Sequence, residues 1–89
     1  MRRVTQQKQF RRDWRRQERR GKRMEKVEAV VKVLSRDGRV GLQARPHKLS
    51  GEWGGWWECH IESDWLLIYD VADDEIILAR TGTHADLFE

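Results

Sequence analysis

One cysteine and one proline are all that 89 residues contain of either type. Cys59 alone closes no internal disulfide and forms no paired-thiolate zinc motif, which speaks against redox and zinc chemistry and fits a reducing compartment. No stretch approaches the run of about 20 apolar residues that spans a bilayer, and the opening MRRVTQQKQF lacks the apolar core of a secretory signal. The expected location is therefore the cytoplasm, with no membrane partner. Low-complexity linkers and internal repeats are also missing, so the expectation is one small domain over residues 1–89. A chain of this size buries a modest share of its surface and gains from a stabilising partner.

Acid is scarce in the first half and base in the second. Residues 1–48 carry 17 Lys/Arg against 5 Asp/Glu, and residues 49–89 carry 1 against 10, a net +12 followed by a net −9 that leaves +3 overall. A basic half of this kind suits a polyanion. Arg11, Arg12, Arg15, Arg16, Arg19 and Arg20 recur every four residues and so form one broad stripe on a helix, a candidate surface for RNA. The alternative is a solvated helix face that keeps the protein soluble.

Hydrophobic periodicity gives the elements. Residues 2–7 predict a short strand with Val4 and Thr5 as its strand formers. A helix follows from about Lys8, anchored by Phe10 and Trp14 and broken at Gly21. Met24, Val27, Val30, Val31 and Leu34 mark a second, ending near Asp37–Gly38. Residues 39–50 read as a loop. Alternation over 56–61, the apolar run WLLIYD at 65–70 and EIILARTG at 75–82 predict three antiparallel strands. The expected class is α+β, an antiparallel sheet with an N-terminal helical hairpin packed on one face.

The segments HKLSGEW at 47–53, CHIESDWLLIYD at 59–70 and ARTGTHADLFE at 79–89 resemble, in order and spacing, the YafQ branch of the RelE/ParE toxin superfamily. The resemblance covers nearly half the chain, and R-T-G-T-H-x-x-L-F is its most specific part. It implies a RelE-like microbial ribonuclease fold and a type II toxin that cleaves messenger RNA on the ribosome, docks on ribosomal RNA and is neutralised by a cognate antitoxin. One departure concerns binding: where relatives commonly carry Lys and Arg after the Gly-x-Trp step, this chain has Gly54 and Trp57.

Under that resemblance the chemistry needs no cofactor and no metal. The ribose 2′-hydroxyl attacks the adjacent phosphorus, one group takes its proton, and another protonates the departing 5′-oxygen. His47, His60 and His84 are the candidates for those transfers, with His84 first and the direction open, because imidazole titrates near neutrality. Arg80 is assigned to phosphate or transition-state stabilisation, since a guanidinium only donates. Asp64 joins the catalytic candidates as a group that orients a histidine or raises its pKa by stabilising the imidazolium, the alternative being a turn or capping residue. A two-residue turn at Glu62–Ser63 would pair Ile61 with Asp64 and put the acid on the face opposite His60, so a functional Asp64 requires an irregular turn. Phe88 supports the site or stacks on substrate. Trp56 and Trp57 offer π faces to a base, while Trp57 alternatively joins the core with Cys59 and Ile61. Cys59 and His60 are strand neighbours pointing to opposite faces, which argues against a shared zinc. Two readings compete with the nuclease. A ParE-like gyrase inhibitor on the same fold needs no proton-transfer cluster, and a non-catalytic RNA-binding module would use the arginine stripe alone.

Overall fold

The computed structural model describes residues 1–89. In chain order the elements are β1 (Arg3–Gln6), α1 (Lys8–Arg19), α2 (Glu25–Asp37), β2 (His47–Lys48), β3 (Trp57–Glu62), β4 (Trp65–Val71), β5 (Glu75–Gly82) and α3 (His84–Phe88). The five strands form one sheet in the order β1-β5-β4-β3-β2. The α+β expectation holds, and no helix is long and apolar enough to cross a membrane.

Both long helices follow from their residues. Strong helix formers dominate α1, and the arginine-rich run stops where Arg20 closes the last turn and Gly21 takes a φ of 80°. At the end of α2, Gly38 adopts φ 74° and returns its N–H to the Leu34 carbonyl at 2.8 Å. Phe10, Val27 and Leu34 leave these helices for the main core, where they meet Cys59, Trp65, Leu67, Tyr69, Ile76 and Leu78 from one face of the sheet. A smaller cluster covers part of the opposite face: Leu66, Ile68 and Ala79 under Leu87 of α3, flanked by Leu49, Trp53 and Trp56. Trp57 packs against the helix-side core, which resolves its two readings in favour of packing.

Three expectations change, and the C-terminal tail, to which no element was assigned, gains one. The N-terminal strand pairs in parallel with β5, Val4 opposite Ile76 and Gln6 opposite Leu78, so the sheet is mixed. The loop at 39–50 contains a 3-10 turn at Leu42–Ala44 and the two-residue strand β2. The C-terminal tail is a helix. Finally, the β3–β4 turn is Ser63–Asp64, not Glu62–Ser63: Glu62 pairs with Trp65 after a bulge that follows His60.

That bulge and a second in β5 decide which side chains face which way. Leu78 opposes Tyr69 and Arg80 opposes Ile68, so one extra residue, Ala79, lies between them. Strict alternation from Ile76 and Leu78 would drive Arg80 into the helix-side core; the bulge places it on the other face.

Cys59 is fully buried on the helix side. Burial, and then the neighbouring Glu58 carboxylate, push its thiol up to about 12. The native protein is expected to leave a thiol-specific disulfide reagent unreacted at pH 8 and to consume one equivalent on unfolding in denaturant; rapid labelling of the native state would contradict this burial.

Candidate active site

Strand register brings the candidate residues together on the face away from the long helices. His47 on β2 opposes Glu58 on β3, Glu58 opposes Ile68 on β4, and Ile68 opposes Arg80 on β5, one row across four strands. A second row runs from His60 through Leu66 to Gly82, about 10 Å at two strand spacings. Two residues beyond Gly82, His84 opens α3. Leu87 plants that helix on the sheet, and His84 and Phe88, four residues apart, share its other side with ring centroids 4.9 Å apart. On the far flank Trp53 and Trp56 meet edge to face at 5.8 Å. Trp56 is half-buried there.

Each histidine has defined neighbours. His47 places Nε2 at 3.2 Å from Glu58 Oε1 and Nδ1 at 3.2 Å from the Arg45 carbonyl. Glu58 is only 5% exposed, and its second oxygen is buried without a partner. His60 Nδ1 lies 3.3 Å from Arg45 Nη2 and 3.2 Å from the Ser63 carbonyl. The backbone N–H of His84 donates to Asp64 Oδ1 at 2.9 Å. Asp64 therefore touches the backbone of α3 and no imidazole, the capping alternative of the two open to it. The bulge in β3 supplies the irregularity this reach requires.

Arg80 meets a partner that its sequence neighbours do not reveal. Its Nε and Nη2 donate to Asp13 of α1 at 2.7 and 3.2 Å. The arginine side chain is 18% exposed and the aspartate 3%. Asp13 also accepts the Thr81 N–H at 3.1 Å and the Gln9 amide at 3.2 Å. The Nε and Nη2 of Arg80 are thus committed to the fold.

The arginine stripe divides similarly. Arg20 donates to both oxygens of Asp86 at 2.6 and 3.0 Å, and Arg16 and Gln17 approach the same carboxylate at 3.4 Å. Asp86 also closes a capping box with Thr83: the Thr83 N–H donates to its carboxylate at 2.9 Å, and its own N–H donates to the Thr83 hydroxyl at 3.1 Å. Gly82 leaves room for this arrangement, since a Cβ there would fall 2.8 Å from Asp86 Oδ2. Arg11, Arg12, Arg15 and Arg19 remain exposed with no carboxylate in reach. The sequence reading missed Asp13, Arg45, Glu58 and Asp86. Asp13 had a signal, for it recurs with Phe10 and Gln17 on the buried face of α1. Asp86 had another, the T-x-x-D spacing of a cap.

No three His, Cys, Asp or Glu side chains converge as a metal-ligand group. What the open face does offer is three imidazoles, a buried carboxylate and aromatic edges, the types that move protons and hold bases.

Comparison with known proteins gives a consistent result. Residues 2–89 match the family described as “Bacterial toxin of type II toxin-antitoxin system, YafQ”. The mRNA interferase toxin YafQ of Escherichia coli K12 is 37% identical over 82 residues, covering 90% of this chain and 88% of that protein. The crystal structure of YafQ from E. coli BL21(DE3) superposes with a TM-score of 0.92 at 31% identity, with 100% of each chain covered. The E. coli DinJ–YafQ complex gives 0.90 at 32%, again over 100% of each chain.

Two substitutions test how the site is held. Asp13→Ala leaves the Arg80 cation half-buried without its anion, and a loss of about 3 kcal/mol in chemical denaturation is expected; a loss below about 1 kcal/mol would show the pair to be dispensable. Asp86 is held well below the usual carboxylate range, first by the hydrogen bond from Arg20. Its contribution to stability is full above the unfolded-state value of about 4 and fades as pH falls below it. Asp86→Asn should therefore lower Tm most above about pH 5, with the gap narrowing below pH 4; a gap independent of pH would refute the charge latch.

Proposed function

Since the chain belongs to the YafQ family of type II toxin-antitoxin toxins, we propose that it is an mRNA interferase. In this reading it is an endoribonuclease that cuts messenger RNA on the ribosome in the cytoplasm, acting as one domain and neutralised by a cognate antitoxin. The observation that carries it is the gathering of His47, His60 and His84 on one open sheet face, with α3 fastened beside them through Asp64 and Asp86. The relative whose structure is a complex with DinJ supplies the kind of partner.

The reaction requires two proton transfers. A basic imidazole takes the 2′-hydroxyl proton as that oxygen bonds to phosphorus. The P–O5′ bond breaks, and a protonated imidazole passes its proton to the leaving oxygen. The products are a 2′,3′-cyclic phosphate and a 5′-hydroxyl end. His84, exposed on the short helix α3, performs one transfer opposite a strand histidine. Asp64 acts as a positioning residue that fixes the backbone from which His84 projects. Phe88, packed on the His84 ring, limits the ring's freedom and presents an aromatic edge to the substrate. The exposed arginines 11, 12, 15 and 19 dock on ribosomal RNA, so association falls steeply with added salt.

Incubated with translating ribosomes, the protein should yield messenger fragments with 5′-hydroxyl ends, and His84→Ala should slow their appearance by about 10²–10⁴-fold. Cleavage by that variant at the full rate would sink the assignment. Intact messenger alongside blocked DNA supercoiling would instead favour a gyrase inhibitor.

A further inference from the structure

Negative charge builds on the phosphoryl oxygens during such a displacement, and a preorganised cation there gives a large part of the rate. The acidic second half has one arginine, Arg80, and its Nε and Nη2 already donate to buried Asp13, which offsets its charge. Gly54 and Trp57 bring no charge. Lys48 stands over the Trp57 ring at 5.8 Å, on the side of the helix core. One guanidinium touches a candidate histidine, and it belongs to Arg45.

Arg45 is an unusual residue. It ends the Leu42–Ala44 turn at φ 49° and ψ 55°, left-handed, and no other residue except glycines has positive φ. Only a few per cent of non-glycine residues adopt such values. The following Pro46 further favours extended backbone at this position, so glycine would be the relaxed choice. Strain of this kind points to a use. Here the twist sets the Arg45 carbonyl against His47 Nδ1 at 3.2 Å while its Nη2 reaches His60 Nδ1 at 3.3 Å. No carboxylate lies within ion-pair reach of its exposed side chain.

Guanidinium donates and never accepts, so His60 Nδ1 must be the acceptor in this contact and the ring proton must sit on Nε2. In that tautomer Nε2 has no lone pair with which to take a proton. The Ser63 carbonyl, 3.2 Å from the same Nδ1, is the alternative partner.

We propose that Arg45 is the cation that meets the scissile phosphate, and that its departure from His60 turns that ring into the proton acceptor. When a phosphate draws the guanidinium away, the ring exchanges its proton with solvent, Nδ1–H donates to Ser63, and the Nε2 lone pair is freed. No charge is gained or lost in the change. Arg80 remains a positioning residue that braces the end of β5. The inference rests on the endoribonuclease reading for its chemistry, but the contact itself can be read without cleavage.

The test begins with ¹⁵N-histidine spectra of the whole chain titrated with a 2′-O-methyl oligoribonucleotide, which cannot be cut. Free protein should show His60 protonated at Nε2, and the oligonucleotide should move the proton to Nδ1. Arg45→Ala should show the Nδ1–H form without ligand and bind about 10-fold more weakly, as expected for loss of one charge-assisted contact. A His60 tautomer unaltered by Arg45→Ala, or unaltered affinity, overturns the proposal. On ribosomes, Arg45→Ala should lower the cleavage rate by roughly 100-fold, with Arg45→Lys recovering part of it. A non-bridging phosphorothioate should slow the wild type and have little further effect on Arg45→Ala; an undiminished sulfur effect in that variant also overturns the proposal. Wild type that fails to cut any messenger would defeat the nuclease reading alone, because the titration still decides the Arg45 contact.

Discussion

The edge of β5 poses a problem that Asp13 solves. β1 runs parallel to β5 only as far as Gln6 and Leu78, and the Gln7 N–H, bonded to the Leu78 carbonyl at 3.0 Å, is the last backbone link before α1 begins. Beyond Leu78, β5 continues to Gly82 paired with β4 on one side and with no strand on the other. A buried backbone N–H left open there would cost as much as a lost hydrogen bond. The Asp13 carboxylate accepts the Thr81 N–H in place of a strand carbonyl and grips Arg80 with its remaining capacity. On the helix side the Thr81 hydroxyl accepts from the Trp65 indole at 3.0 Å and donates to the Leu66 carbonyl at 2.8 Å. One carboxylate on α1 thus fixes the strand end from which α3, and with it His84, departs.

α3 could not stand by itself. Five residues are far below the length at which an isolated helix persists in water. Three attachments hold it: Leu87 on the second apolar cluster, Asp64 on its first-turn N–H, and Asp86 between its own cap and the α1 arginines. The same helix that carries free arginines toward solvent therefore carries, on an adjoining face, the acceptors and donors that set the active face.

How far the sequence revealed this depends on the range of each interaction. The breaks at Gly21 and Gly38, the amphipathic course of α2 and the strands at 57–62, 65–71 and 75–82 are local matters of period and turn chemistry, and they were legible. His47, His60 and His84 were also legible as a set, through the order of the resembling segments. Two bulges were not, because alternation records no insertion: the one after Leu78 changes the face of Arg80, and the one after His60 turns Glu62 to Lys26 and Lys22 of the helix side at 2.7 and 3.8 Å. The partners of Arg80 and Asp86 lie 67 and 66 residues away along the chain. No local rule could have chosen them among so many arginines and acids.

The segregation of charge along the sequence is offset in part in space. Asp86 takes Arg16 and Arg20, Glu62 takes Lys22 and Lys26, Asp74 takes Arg3, and Glu58 faces His47. The more exposed of these, Glu62 with its lysines and Asp74 with Arg3, contribute little to stability, so the value of a basic half beside an acidic half cannot lie mainly in attraction between them. Pairing instead sorts equivalent-looking cations into two kinds. Those that meet an acid become part of the frame around the sheet. Those that meet none, among them Arg11, Arg12, Arg15 and Arg19 on α1 and Arg45 beside the histidines, keep their charge available to a polyanion. A periodic stripe of six arginines is therefore a poor guide to an RNA surface until the acids that silence part of it have been found.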